Sequence, residues 1–400
     1  MKIALYYPWI YLKSGAENTI LEMVKNSRHE FTIFTNHYEP INTYAEYRNL
    51  NIIELADIPV NRSYYKVCYA AFKIMTQKID LIDYDALIVV SEGLGDFIVF
   101  RNSHSRIPIT CYCLTPLKIT HDSLTRQIYL DKNRLKKPFF IFFEKLFRFF
   151  DKIAWERYSY VFCDSNEVKN RILKAGLAPP ANIEILHPGI DLDSIKPTWQ
   201  YDNYFLQPSR IKWYKNTSLA IEAFKKFYLE NPGLRKFKLI IASQVDKASK
   251  PYYEYLLALS KDIENIRIIP NPDDELYKNL FQNAYAILHT AFNEDWGIVP
   301  LEAMAYGKPV IAVNQGGPTE SIIDKETGFL VNPNAQEFSK AMKTLAEDIN
   351  LVQKIGKNSR TASLKYDWKN FVKRIDSYFD SLLLQDSNRC INPYISQKKQ

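Results

Sequence analysis

Short, nearly unbroken apolar runs recur along this chain, and segments of helical period separate them. In the first half the runs are IALYYPW (3–9), FTIFTN (31–36), ALIVV (86–90), PITCYCL (108–114) and YSYVFCDS (158–165). In the second half they are YFLQPS (204–209), KLIIAS (238–243), IRIIP (266–270), AILHT (286–290) and PVIAV (309–313). Runs apolar on every residue suit strands buried on both faces. Such strands are parallel and need helical crossovers. Helices are expected at about 17–26, about 64–79 after NIIEL (51–55), 217–230, 251–261 and 274–282. The chain therefore reads as α/β, with two Rossmann-like domains in sequence. The turn residues His187-Pro188-Gly189, with Pro197 beyond, place a linker near 185–202. The expected division is a first domain over 1–187, a second over 188–367, a terminal helix over 368–385 that crosses back to the first domain, and a polar, disordered tail over 386–400.

Composition narrows the classes. Four hundred residues at 46% hydrophobic can build two real cores. No stretch of about 20 uninterrupted apolar residues is present, so no transmembrane helix is expected. MKIALYYPW turns polar too soon for a signal peptide and reads as a first strand. The five cysteines (68, 111, 113, 163, 390) are odd in number, and three lie on apparent strands. They read as reduced and mostly core, which is consistent with a cytoplasmic protein. A zinc site is not expected, because no second closely spaced Cys/His pair exists. The net charge of +7 is concentrated over 132–157, where eight Lys or Arg and three acids are interleaved with aromatics. A helix there has a Phe-rich face and a basic face. It can lie on anionic lipid at the inner face of the membrane, or bury its apolar side in the domain and leave a polar side solvated. Nucleic acid is not expected as a partner: no recognisable motif or strongly basic domain is present.

The residues that point to chemistry are densest over 292–331, FNEDWGIVPLEAMAYGKPVIAVNQGGPTESIIDKETGFLV. Glu294 and Glu302 lie eight residues apart, with Gly297 between them and a helix expected over 299–306. Gly297 allows close backbone approach, and the carboxylates can accept hydrogen bonds from vicinal hydroxyls. Gly316-Gly317 is expected to open a helix at about Thr319, with Glu320 inside it, and a helix N-terminus attracts a diphosphate. Hydroxyl acceptors beside a diphosphate site suit a nucleotide sugar. Taken singly the two carboxylates would read as solvated surface charges; the forty-residue layout argues against that.

Four further segments matter. SRIKWYK (209–215) puts Arg210 and Lys215 beyond the carboxyl end of a strand, where ligands bind in such sheets and cations can neutralise a leaving diphosphate. LKSGAEN (12–18) makes a turn at Ser14-Gly15 into the first helix. CYCLTPLKITHD (111–122) offers Thr115, Lys118 and His121, although a lone histidine is more often structural. HPGIDLD (187–193) brings Gly189 to the entry of the second domain; its Asp191 and Asp193 are discounted as metal ligands. GLGDFI (93–98) is a broken glycine fingerprint after the wrong strand, so no nicotinamide cofactor is expected.

These segments together resemble the retaining glycosyltransferases of family 4, which have the GT-B fold of two Rossmann-like domains facing a cleft. Glu294 and Glu302 match the family's E-x7-E; Gly316, Gly317 and Glu320 match its GG-x-x-E; and Arg210 and Lys215 match its R-x4-K. Trp296 stands where the family usually has Phe, Ser14 replaces the first Gly of its GGAE loop, Lys118 replaces an Arg, and Leu114 replaces its usual His. The resemblance implies catalytic roles for Glu294, Arg210 and Lys215. It implies donor contacts at Glu302, Gly189, Trp296, Gly297, Ile298, Val299, Gly316, Gly317, Gly15 and Glu320, and an acceptor side at Ser14, Thr115, Lys118 and His121. It further implies transfer of a hexose from a nucleotide-diphosphate sugar to a glycan or lipid-linked acceptor in surface polysaccharide or glycoconjugate assembly; the form EDWGIVPLEAMA leans to GDP-mannose, with UDP-sugars left open. No cofactor or metal is expected. A nucleotide-sugar epimerase of the same fold and an inactive nucleotide-sugar-binding protein are the alternatives, the second because of Leu114.

Overall fold

The computed structural model describes residues 1–60, 63–104 and 107–391. The chain forms two compact units, Met1–Gly189 together with the segment from Trp368 onward, and Ile190–Asp367. The crossing falls at residue 189/190, inside the linker expected at 185–202.

The first unit carries a seven-stranded parallel sheet: β1 Lys2–Tyr6, β2 Glu30–Thr35, β3 Ile52–Glu54, β4 Ala86–Ser91, β5 Ile109–Cys113, β6 Tyr160–Cys163 and β7 Ile183–Ile185, in the order β3-β2-β1-β4-β5-β6-β7. Every residue of β4 and β5 is buried, as unbroken apolar runs require. Helix α1, Gly15–Asn26, follows β1, and α2, Tyr64–Thr76, lies between β3 and β4. Helix α3, Lys137–Trp155, has Pro138 in its first turn, where a missing N–H costs nothing. Cys111, Cys113 and Cys163 are buried thiols, whereas Cys68 is exposed.

The second unit repeats the plan with six parallel strands: β8 Tyr204–Arg210, β9 Lys238–Gln244, β10 Ile266–Pro270, β11 Ala286–His289, β12 Val310–Val313 and β13 Gly328–Val331, in the order β10-β9-β8-β11-β12-β13. Helix α4, Thr217–Glu230, follows β8, and α5, Ile298–Ala305, lies between β11 and β12. Ile190 donates to the Tyr366 carbonyl (2.9 Å) and bridges to Asp367, so the chain enters and leaves this unit side by side.

The last helix, α6, Trp368–Ile391, belongs to the first unit. Its Trp368, Phe371, Val372, Ile375 and Phe379 share a core with Ile3, Leu5, Tyr112 and Phe162. Arg374 grips the Glu184 carboxylate in bidentate fashion, and the Tyr378 ring stacks on Tyr160 at 4.9 Å. Of the tail expected from residue 386, the helix takes the stretch to Ile391, and the remainder lies outside the described residues.

Candidate active site

In the second sheet successive strands move outward one way from β8 and then the other way from β11. The crevice beyond the carboxyl ends at such a reversal is where open α/β sheets bind ligands. Arg210 ends β8 and His289 ends β11, so both stand at this reversal. After β8 the chain makes one tight turn, Trp213–Lys215, and Asn216 takes a left-handed conformation (φ 52°) to launch α4. The two loops at the reversal are laced together: Thr290 Oγ1 donates to the Lys215 carbonyl (2.9 Å), and the Phe292 N–H donates to the Tyr214 carbonyl (2.9 Å). That lacing brings Lys215 Nζ to 2.5 Å from Glu294 Oε2, both side chains about 18% exposed.

His289 joins this pair. Its Nε2 lies 3.8 Å from the same Glu294 oxygen. Burial, with Lys215 nearby, pushes its pKa down to about 4, so the ring is neutral and Lys215 is the cation that faces Glu294. No hydrogen-bond partner for Nε2 exists among the described residues, an uncommon state for a buried nitrogen. The sequence reading took AILHT as a strand and passed over its histidine. A polar residue at the carboxyl end of an apolar run beside a reversal was the available signal. Arg210 is half-buried and makes no hydrogen bond or ion pair with a described residue through its guanidinium.

The Glu294 loop is held in place by the Gly316-Gly317 turn. Gly317 N–H donates to the Glu294 carbonyl at 2.8 Å. A Cβ on Gly316 would stand well under 3.0 Å from Glu294 backbone atoms, and one on Gly317 equally close to those of Trp296. Gly316 also has a positive φ of 66°, which glycine adopts without strain. The glycine pair is therefore required first by close packing of two backbones. The helix it opens is a single turn, Pro318–Ser321. The N–H groups of Gly317, Thr319 and Glu320 are already spent on backbone carbonyls. The expectation of a helix dipole and free donors there is corrected accordingly: four residues align too few peptide units to make a macrodipole. Glu320 lies in that turn, half-buried, and its carbonyl accepts from Tyr366 Oη at 3.3 Å.

A longer helix offers what that turn does not. Gly297 (φ 96°) stands at the N-cap of α5, and no side chain caps the helix. The first-turn N–H groups at Ile298 and Val299 thus have no intrahelical acceptor. Glu302, one turn further, is half-buried, and burial raises its carboxyl to about 7. Trp296 is corrected: the residue is 3% exposed, and its ring packs edge-on to Tyr366 at 5.3 Å. So large an apolar ring, buried together with its backbone, is part of the core and offers a ligand no face.

The raised Glu302 carboxyl carries a signed consequence. An unfolded glutamate titrates near 4.5 and the folded one near 7. The protonated form therefore favours the fold at low pH, and that contribution is lost as pH rises through about 7. A shift of this size corresponds to roughly 3–4 kcal/mol. Glu302→Gln is expected to raise Tm at about pH 8 while leaving it nearly unchanged at about pH 4. Equal Tm differences at both pH values would remove Glu302 as the source.

The first unit holds the other expected residues. Ser14 is the N-cap of α1, Gly15 is its first residue, and Ser14 Oγ is spent on Glu17. Thr115 accepts from Arg171 Nη1 at 2.6 Å, and Lys118 starts a short helix, Lys118–His121. His121 is corrected as an acceptor-side residue. Its side chain is 2% exposed, and its Nε2 is 2.8 Å from Asp151 on α3. Burial drives His121 down to about 4 and Asp151 up to about 8, so the two hold one proton between them inside the core. Leu114 is buried in the core below the loop. Gly189 is the last buried residue before the crossing. Asp191 is spent on a turn, accepting from the N–H groups of Asp193 and Ser194 at 3.1 Å each.

Comparison with known proteins agrees with this architecture. The Glycosyltransferase Family 4 model matches residues 13–194, and the Glycosyl transferases group 1 model matches residues 193–362. The chain is 25% identical over 436 residues to the alpha-1,3/1,6-mannosyltransferase ALG2 of Dictyostelium discoideum, covering 96% of this chain and 98% of that protein. It is 26% identical to the human protein of the same name, covering 88% of each. A local match to alg-2 of Neurospora crassa reaches 31% identity over 50% of this chain and about half (51%) of that protein's length. Among solved structures, Anabaena HepE in complex with UDP is similar at a TM-score of 0.72 and 18% identity, covering 95% of this chain and 100% of that one. Sucrose-phosphate synthase from Thermosynechococcus elongatus is similar at a TM-score of 0.76 and 16% identity, covering 96% of this chain and 100% of that one. The relatives and both family models are transferases, which does not favour the epimerase or the inactive binding protein. The two models between them span residues 13–362, and the chain belongs to glycosyltransferase family 4, with the α/β GT-B fold of two Rossmann-like units.

Proposed function

We propose that the protein transfers a hexose, with retention, from a nucleotide-diphosphate sugar to a glycan or lipid-linked acceptor, and that the sugar is mannose carried on GDP. The observation that carries this is the pairing of Lys215 with Glu294 beside the unpartnered Arg210, at the reversal point of the second sheet. Mannosyl transfer is named for several relatives. HepE was crystallised with UDP-glucose, which supports a nucleotide-sugar donor without deciding the base.

In this reading Arg210 and Lys215 hold the diphosphate, and the N–H groups at Ile298 and Val299 add donors. Glu302 accepts from the ribose hydroxyls and Glu294 from those of the transferred sugar. The acceptor oxygen bonds to the anomeric carbon as the bond from that carbon to the diphosphate oxygen breaks. The acceptor proton passes to the departing diphosphate on the same face. Charge grows on the leaving group as that bond breaks, so fixed cations there act on the transition state more than on the ground state. No cofactor enters this scheme. The cytoplasm is the compartment proposed for the reaction; free Cys111, Cys113 and Cys163 support that reading.

A thermal-shift screen with GDP, UDP, ADP and their sugar conjugates tests the donor site. One nucleotide class is expected to raise Tm, by about 2.7 kcal/mol of added stability at a hundredfold excess over Kd. Arg210→Ala is expected to lose that shift at equal ligand concentration. A shift unchanged in the variant would place the nucleotide elsewhere. A shift for UDP alone would exclude GDP as the base.

A further inference from the structure

Helix α3 has two apolar faces. The inner one packs into the first unit through Phe140, Ala154 and Trp155. It also buries two of the segment's three acids: Glu144 is gripped by Arg126 at 2.7 and 2.8 Å, and Asp151 meets His121. The outer face, which an ordinary surface helix makes polar, carries Phe139, Phe142, Leu146 and Phe149. Their 3-4-3 spacing is one helical stripe, and all four are exposed, Phe142 by 63% and Phe149 by 61%.

A second stripe lies beside the first. On α2, Tyr65, Tyr69 and Phe72 are exposed, by 78%, 40% and 64%. The two helices meet where the Tyr64 ring lies edge-on to Phe139 at 5.2 Å. Leu135, fully exposed, extends the surface at the start of α3. Lys145 and Lys152 flank the stripe on α3 and are exposed, as are Lys132, Arg134 and Lys136 in the turn before it and, in part, Lys66 on α2, which has no acid. With Glu144 and Asp151 turned inward, the exposed charge of the 132–157 segment is strongly positive. No helix among the described residues is long and apolar enough to cross a membrane.

We infer that this two-helix face docks flat on an anionic lipid surface, its aromatic stripes entering the headgroup boundary and its lysines and arginines facing lipid phosphates. Exposed aromatics rimmed by cations match that surface on both counts. A second copy of this chain, which carries a net charge of +7, would set like charges against one another across this face. The inference does not depend on the donor or the acceptor.

Sedimentation of the full chain with vesicles, without nucleotide or acceptor, tests it. Vesicles containing phosphatidylglycerol are expected to bind at least about tenfold more protein than phosphatidylcholine alone, and added salt should reverse the difference. Phe142→Ser with Phe149→Ser should lose binding by about tenfold or more at unchanged Tm, and so should Lys145→Glu with Lys152→Glu. Equal binding to both vesicle types, no binding, or variants that bind as the parent does would overturn the inference. Dimerisation abolished by the Phe pair, without vesicle binding, would reassign the face to contact between copies.

Discussion

Glu294→Ala is expected to remove sugar transfer, with kcat down by about 100- to 1000-fold, while the protein stays folded. Glu294 sits on a loop laced to the β8 side of the crevice, 2.5 Å from Lys215 and beside a neutral histidine. Its carboxylate sets where the Lys215 ammonium points, and in the proposed reaction it accepts from the sugar. Removal costs both functions at once. The stability cost is expected to be about 1 kcal/mol, because the pair is partly solvated and Lys215 can turn to water. Single-turnover rates with the preferred donor, read beside Tm, separate the two effects. Full activity in the variant would end the assignment of this loop to the sugar. Glu294→Gln should recover part of the donor binding but little of the rate, since it keeps an acceptor oxygen and loses the charge that holds Lys215.

Gly317→Ala is expected to reduce both stability and activity, although the added group is one methyl. That methyl would meet the Trp296 backbone well under 3.0 Å away, and backbone yields far less than a side-chain tip. Overpacking of this kind costs about 1–3 kcal/mol. The strain falls on the loop that carries Glu294 and leads into α5, so a displacement near 1 Å moves the Glu294 carboxylate and the Ile298 and Val299 N–H groups together. Losses of about 100-fold follow from errors of that size. The glycine pair reads as phosphate-binding from sequence. If it acted only through phosphate, Gly317→Ala would weaken nucleotide binding without lowering the Tm of the free protein. A drop in the free protein's Tm is the result expected here.

Much of the site was legible because it is local. Glu294, Gly297 and Glu302 lie within nine residues, and helical period alone puts Glu302 one turn into α5. Parallel strands could be counted from unbroken apolar runs. The short strands β7 and β13 were not read, because three or four residues at a sheet edge carry too little pattern. His289 was hidden for a different reason: its neighbour Glu294 comes from the loop after its own strand, but the pocket that buries both is closed by Lys215, 79 residues away from Glu294.

The sequence by itself determined two units of alternating strand and helix, and it put Arg210 and Lys215 beyond the carboxyl end of one strand and Glu294 and Glu302 beyond that of another. Those follow from periodicity and from the rule that parallel strands present their carboxyl ends together. Only the tertiary structure decided direction. It turned Trp296 into the core, sank His121 against Asp151, and reduced the Gly316-Gly317 helix to a single turn packed against the Glu294 loop. It also left the second aromatic stripe of α3 exposed. Period says which residues share a face. It does not say which of two apolar faces meets a neighbour, because that depends on what the rest of the chain packs there.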